Sequence, residues 1–135
     1  MKVIGLDDKE YKLKLFGHSE IDEDRPRSKW HLLAREILGK YFPFEKVLEE
    51  ILLPGCGYTL YLDFFLPRRK LAIEVQGVQH KQYVPFFHGD INGYRDQLKR
   101  DFHKKNFCIK NNFTLLELDD GQSEQWPTQI RATFS

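Results

Sequence analysis

The chain has 135 residues, 41% of them hydrophobic and 14% aromatic, with 21 Lys and Arg set against 20 Asp and Glu. This is the length and composition of one globular domain with a real core, not of a disordered tail. A formal net charge of +1 excludes a simple polybasic binder, although basic residues can still gather on one face.

In chain order, "KVIGLDDKEYKLKLF" predicts a β-hairpin around a polar turn. "GHSEIDEDRPR" is polar and acidic and reads as a linker, so residues 1–27 form an N-terminal hairpin and linker ahead of a unit over 28–135. Ser28 is placed to cap a helix "KWHLLAREILGKYF", with Trp30, Leu33, Ile37, Leu38 and Tyr41 at helical spacing and Pro43 as its stop. The run Val47 to Leu53 fits helix or strand. The turn "PGCG" and the β-type segments behind it favour strand. Two further strands follow, Thr59–Leu66 and Lys70–Gln76, and then an aromatic loop, "GVQHKQYVPFFHGDING". A second helix, "GYRDQLKRDFHKKNFCIKNN", presents Tyr94, Leu98, Phe102 and Ile109 along one side. "FTLLELDD" is a last strand, and the tail is long enough for one more helical turn. The expected fold is therefore α/β, an α+β sandwich in the order helix, three strands, helix, strand, with a small mixed sheet.

No apolar run is long enough for a transmembrane helix, and "MKVIGLDDKEY" lacks the apolar core of a signal peptide. The expectation is an intracellular, cytoplasmic protein that does not engage a membrane. Cys56 and Cys108 show no metal-binding spacing and read as reduced structural thiols. His18, His31, His88 and His103 likewise have no spacing that makes a metal cluster.

The informative stretch is "LYLDFFLPRRKLAIEVQGVQH", Leu60 to His80, which carries Asp63 and Glu74 inside its two apolar runs. Strand side chains alternate between faces. If Arg68 and Arg69 form the turn in "PRRK", Pro67 pairs with Lys70 and Asp63 falls directly opposite Glu74 on one face. Like charges opposed in this way are destabilising. A hard divalent cation relieves the conflict, because magnesium commonly sits on one or two carboxylates and keeps waters for a phosphate substrate. The bland alternative is a pair of acids neutralised by Arg68, Arg69 or Lys70.

A helix bearing Glu36, then Asp63, then "EVQ" at Glu74-Val75-Gln76 resembles the PD-(D/E)XK nuclease superfamily. The run "IEVQGVQH" is most similar to the subgroup of very-short-patch-repair and phage homing-type endonucleases. "RDQLKRDFHKKNFCIKNNFTLLEL" is similar to the helix–strand unit that ends such domains. The resemblance spans about Ser28 to Leu118 and leaves the N-terminal hairpin outside. It implies a restriction-endonuclease-like core and a DNA endonuclease that hydrolyses phosphodiester bonds through a water activated by Mg²⁺ or Mn²⁺. Asp63 and Glu74 match the metal-binding acids, with the Val75 carbonyl as a further ligand. Gln76 stands where the family has lysine and cannot carry its charge. His80 is then a general base or a phosphate partner, and Glu36 is the acid from the first helix, with Glu49 or Glu50 as alternatives. A phage or mobile-element origin is also implied.

DNA would be held by a basic face: Arg68 and Arg69 at the hairpin tip, Lys81 beside His80, and Arg95, Lys99, Arg100 and Lys104 on the second helix. Tyr83, Phe86 and Phe87 either stack on bases or pack the loop onto the body. Cutting both strands with one compact site favours a homodimer, for which the sequence carries no signature. Two other readings stay open: a nuclease-fold DNA-binding module that has lost catalysis, which Gln76 favours, and an interaction protein unrelated to nucleic acid.

Overall fold

The structure is a computed structural model that describes residues 1–15, 28–77 and 91–134. It is a mixed α/β protein with a two-stranded and a four-stranded sheet. Strands β1 (Lys2–Ile4) and β2 (Glu10–Lys12) form the expected antiparallel hairpin. Helix α1 (Lys29–Tyr41) follows, and the Ser28 side chain accepts a hydrogen bond from the His31 N–H, as its capping role requires. Strands β3 (Leu48–Leu52), β4 (Tyr61–Leu66) and β5 (Leu71–Gln76) form an antiparallel meander. Helix α2 (Ile91–Lys110) then crosses over to β6 (Thr114–Asp119), which lies parallel to β5 at the sheet edge. The tail exceeds the one turn expected of it: a 3₁₀ segment leads into the short helix α3 (Trp126–Arg131).

Over Phe64–Leu66 and Leu71–Ile73 the apolar positions divide by parity, as the pleat demands. Phe64, Leu66, Leu71 and Ile73 pack with Ala34 and Leu38 of α1 and with Trp126 and Ile130 of α3. Phe65 and Ala72 pack on the other side with Phe107 and Cys108 of α2, together with Val3 and Leu13 of the N-terminal hairpin. The strands β4 and β5 are thus covered on both faces, which is why they read as near-continuous apolar runs. The hairpin β1–β2 belongs to this core. Asn111 reads its backbone twice, accepting from the Ile4 N–H at 2.7 Å and donating to the Ile4 carbonyl at 2.9 Å. Gly55 has φ +75°, and a Cβ there would lie 2.8 Å from the Gly5 Cα, so glycine is what lets the hairpin approach the β3–β4 turn.

Two helix faces differ from expectation. On α1 the innermost residues are His31, Ala34 and Leu38, while Trp30, Leu33, Ile37 and Tyr41 pack only partly buried around them. On α2 the expected apolar stripe points outward: Leu98, Phe102 and Ile109 are 41%, 60% and 73% exposed. The side turned to the sheet instead runs through Lys104, Phe107 and Cys108. The sheet offers this helix acids as well as apolar side chains, and a cation answers the acids better than a leucine does.

Next to the site, α1 is fastened to β3 by Glu49, which is 2% exposed. His31 Nε2 lies 2.6 Å from Glu49 Oε1, and Arg35 binds the carboxylate through both Nε and Nη2 at 3.1 and 3.2 Å. The His31 ring also stacks on Phe64. Removing one partner of such a buried set leaves uncompensated charge, so Glu49→Ala should cost about 3–5 kcal/mol, read from urea unfolding.

Candidate functional site

The connection between β4 and β5 is a 3₁₀ turn over Pro67–Arg69, closed by the Lys70 N–H donating to the Pro67 carbonyl at 3.2 Å. Lys70 takes the left-handed conformation, φ +50°. This sets the register Leu66–Leu71, Phe65–Ala72 and Phe64–Ile73, so the next level of the hairpin holds Asp63 and Glu74, as the sequence predicts.

At that level the ordinary ladder gives way to side chains. The Asp63 N–H donates to Glu74 Oε2 at 2.9 Å, and the Val75 N–H donates to Asp63 Oδ2 at 2.9 Å. Each carboxylate thus holds the main chain around the other, and the two acids are locked face to face. Glu74 is 5% exposed, whereas Asp63 is half-buried. Burial, and then the negative charge of Asp63, push the Glu74 carboxyl well above the usual carboxylate range, against the pull of Lys104.

Lys104 supplies the compensating charge. Its Nζ lies 2.6 Å from Glu74 Oε1, with 18% of the side chain exposed. Burial works to lower the pKa of its ammonium, but the charge of Glu74 and their hydrogen bond prevail and raise it. Lys104 is expected on the basic face that meets phosphates; the fold turns it inward onto the acid pair.

The acids continue across the sheet. Glu50 lies level with Asp63, between the pairs Glu49–Phe64 and Ile51–Leu62, and Glu117 of β6 is in register with Glu74. Glu50 has φ +50°, a left-handed conformation uncommon for a residue with a Cβ. Lys105 neutralises Glu117 at 3.3 Å. A cleft of about 490 Å³ opens here, lined by Glu50, Tyr61, Asp63, Arg100 and Lys104 among others. Row by row, carboxylates from the sheet face cations from α2.

The remaining expected site residues divide. Gln76 is buried at the end of β5, two residues beyond Glu74 and so on the same face. Val75 is held beside Asp63 by its N–H. Glu36 is exposed on α1, the helix that covers the opposite face of the sheet, and is not among the residues lining the cleft. Of the two alternatives to it, Glu49 is consumed by His31 and Arg35, and Glu50 is the one that reaches the cleft. Arg69 leaves the expected basic face as well. Its guanidinium binds Glu45 at 2.8 Å and lies over the Phe42 ring, at the turn ~10 Å along the hairpin from the acids. Arg68 is exposed at the same tip. Arg95, Lys99 and Arg100 are exposed on α2, and of these Arg100 borders the cleft. His80 and Lys81, with Tyr83, Phe86 and Phe87, lie outside the described residues, as do His18 and His88. His103 contacts the Tyr58 hydroxyl at 2.7 Å.

Among the described residues no three His, Cys, Asp or Glu side chains converge as a metal-holding group, and no helix is long and apolar enough to cross a membrane. Cys108, behind Glu74, has its thiol pushed from an ordinary 9.0 up to about 12 by burial and by the Glu74 charge. A thiol pKa raised on folding means that stability falls as pH rises above 9.0, where the unfolded chain releases the proton first. Cys108 should therefore resist Ellman's reagent in the folded protein at neutral pH and react once urea unfolds it. Native reactivity at Cys108 would contradict this packing.

No family model matches the chain, and no solved structure matches it significantly. Three viral proteins do, all uncharacterized. Protein 094L of Frog virus 3 (isolate Goorha) is 38% identical over 122 residues, covering 78% of this chain and 77% of the relative. Protein 307L of Invertebrate iridescent virus 6 is 38% identical over 62 residues, and protein 033L of Invertebrate iridescent virus 3 is 34% identical over 77 residues. The chain spans only 32% and 40% of the length of these two. With the greater part of both sequences aligned at this identity, the chain belongs to the family of protein 094L of Frog virus 3.

Proposed function

We propose that the protein is a divalent-metal-dependent DNA endonuclease of the PD-(D/E)XK type. The observation that carries the reading is the locked pair Asp63 and Glu74 on neighbouring strands, with Glu74 buried behind and Asp63 at the wall of an open cleft that Arg100 and Lys104 also line. The donor set fits magnesium or manganese. Two carboxylates suffice for an ion that keeps several waters, and a dication relieves the burial and like-charge repulsion that trouble Glu74. The order of helix, three strands, helix and strand also agrees with the nuclease-like core that the sequence resembles.

In this reading Asp63 and Glu74 hold the ion, with the Val75 carbonyl as a further donor. Bound there, a dication lowers the pKa of water, polarises a phosphoryl oxygen and neutralises developing charge. The chain itself binds and orients. Arg100 borders the cleft where the phosphate would enter, with Arg95 and Lys99 further along the same helix. Gln76 orients water or phosphate by hydrogen bonding, and His80 takes up a proton. The substrate is DNA held through its phosphates, and cutting both strands of a duplex calls for two copies of the chain. The viral relatives accord with a viral or mobile-element setting.

A DNA-binding module without catalysis is the second reading, and Gln76 favours it, since a neutral amide cannot stabilise charge on the phosphate as lysine does. Plasmid DNA with Mg²⁺ or Mn²⁺ separates the two. An endonuclease nicks or linearises the plasmid, and Asp63→Ala and Glu74→Ala abolish this. A binding module retains DNA in a salt-sensitive way without cutting it. Cleavage unchanged in both variants would exclude this site. Independently, Mg²⁺ at about a hundred times its Kd should stabilise the wild-type fold by about 2.7 kcal/mol and leave Asp63→Ala unmoved.

A further inference from the structure

We propose that Lys104 is a tethered cation that occupies the dication's place in the acid pair, so that metal enters by exchange with its ammonium. This deepens, and rests on, the metal-site reading of Asp63 and Glu74.

Glu74 is held at both carboxylate oxygens. Its Oε2 accepts the Asp63 N–H, and its Oε1 accepts Lys104 Nζ at 2.6 Å. Both oxygens of a nearly buried carboxylate are therefore engaged, and only one of the two partners can leave. The Asp63 N–H is fixed in the strand. The ammonium ends a flexible four-carbon stem. A dication that binds Glu74 also repels an ammonium at the same oxygen, in a site where burial weakens screening.

Lys104 has somewhere to go. Its side chain lines the cleft, one helical turn from Arg100, and part of it already meets solvent. Once displaced from Glu74, the ammonium faces the cleft beside the Arg100 guanidinium, where the two form a paired clamp for a phosphodiester. The charge that Gln76 cannot supply from β5 is then delivered from α2, and only after metal has entered. Lys104 is a positioning residue for the metal step and a substrate-binding residue for the next.

The test uses the full chain and the metals alone. Mn²⁺ binding is followed by calorimetry in wild type, Asp63→Asn, Lys104→Gln and Lys104→Arg. The Lys104 ammonium resonance of wild type is followed by ¹⁵N NMR during Mg²⁺ titration. Asp63→Asn should lose Mn²⁺ binding. Lys104→Gln should bind Mn²⁺ about tenfold more tightly than wild type, and Lys104→Arg should stay near the wild-type affinity. The ammonium resonance should move as Mg²⁺ saturates. If Lys104→Gln fails to fold, the wild-type resonance decides alone. An affinity in Lys104→Gln equal to wild type, or a resonance unmoved at saturation, would overturn the exchange while leaving the metal site intact. No Mn²⁺ binding by either protein would remove the metal site and the exchange together. A purely structural Lys104 would weaken metal binding when removed, the opposite sign.

Discussion

Two hydrogen bonds between β4 and β5 organise the functional half of this protein. Asp63 N–H to Glu74 and Val75 N–H to Asp63 stand where ladder bonds would otherwise run. They oblige two carboxylates to share one spot, and everything around that spot answers the charge. Lys104 neutralises Glu74, Lys105 neutralises Glu117, and Arg100 closes the cleft opposite Asp63 and Glu50. The apolar stripe of α2 is left outside because the helix turns its cations inward.

The consecutive residues Glu49 and Glu50 show how local backbone decides chemistry. Glu49 points to the α1 side and is spent on His31 and Arg35, a buried set that holds a helix to a strand. Glu50, in the left-handed region, borders the cleft on the α2 side. One acid ties a helix to a strand and the next lines the cleft, with a single peptide bond between them. Strain of this kind at a non-glycine residue is commonly found where a site requires it.

The two faces of the sheet consequently do different work. The α1–α3 side is an apolar core closed by Trp126, whose indole N–H donates to the Asp119 carbonyl at 2.8 Å, with the Glu49, His31 and Arg35 set fastening α1 to β3. The α2 side is apolar near the hairpin β1–β2 and ionic toward the C-terminal end of β5. A basic helix over a carboxylate row gives a polyanion an attractive rim and a dication an attractive floor, a combination that a uniformly basic surface lacks.

Much of this was readable from residue order. Alternation along Tyr61–Leu66 and Leu71–Gln76, with the length of the "PRRK" turn, was enough to set Asp63 against Glu74, because register follows from turn length and a period of two. Ser28, Pro43 and the Gly-rich turn likewise marked element ends through local chemistry. Long-range choices were not readable. Glu36, Glu49 and Glu50 are indistinguishable as letters, and only the packing of α1 against one face sends Glu36 to solvent, Glu49 to His31 and Glu50 to the cleft. Arg69 and Lys104 both read as phosphate ligands, yet one meets Glu45 and the other Glu74, partners 24 and 30 residues distant. Residue order was enough for the strands, the two long helices and the opposed acids, all products of near-neighbour geometry. Tertiary structure alone decided which cation meets which acid, because a helix can present any of its sides to a sheet until burial and charge select one.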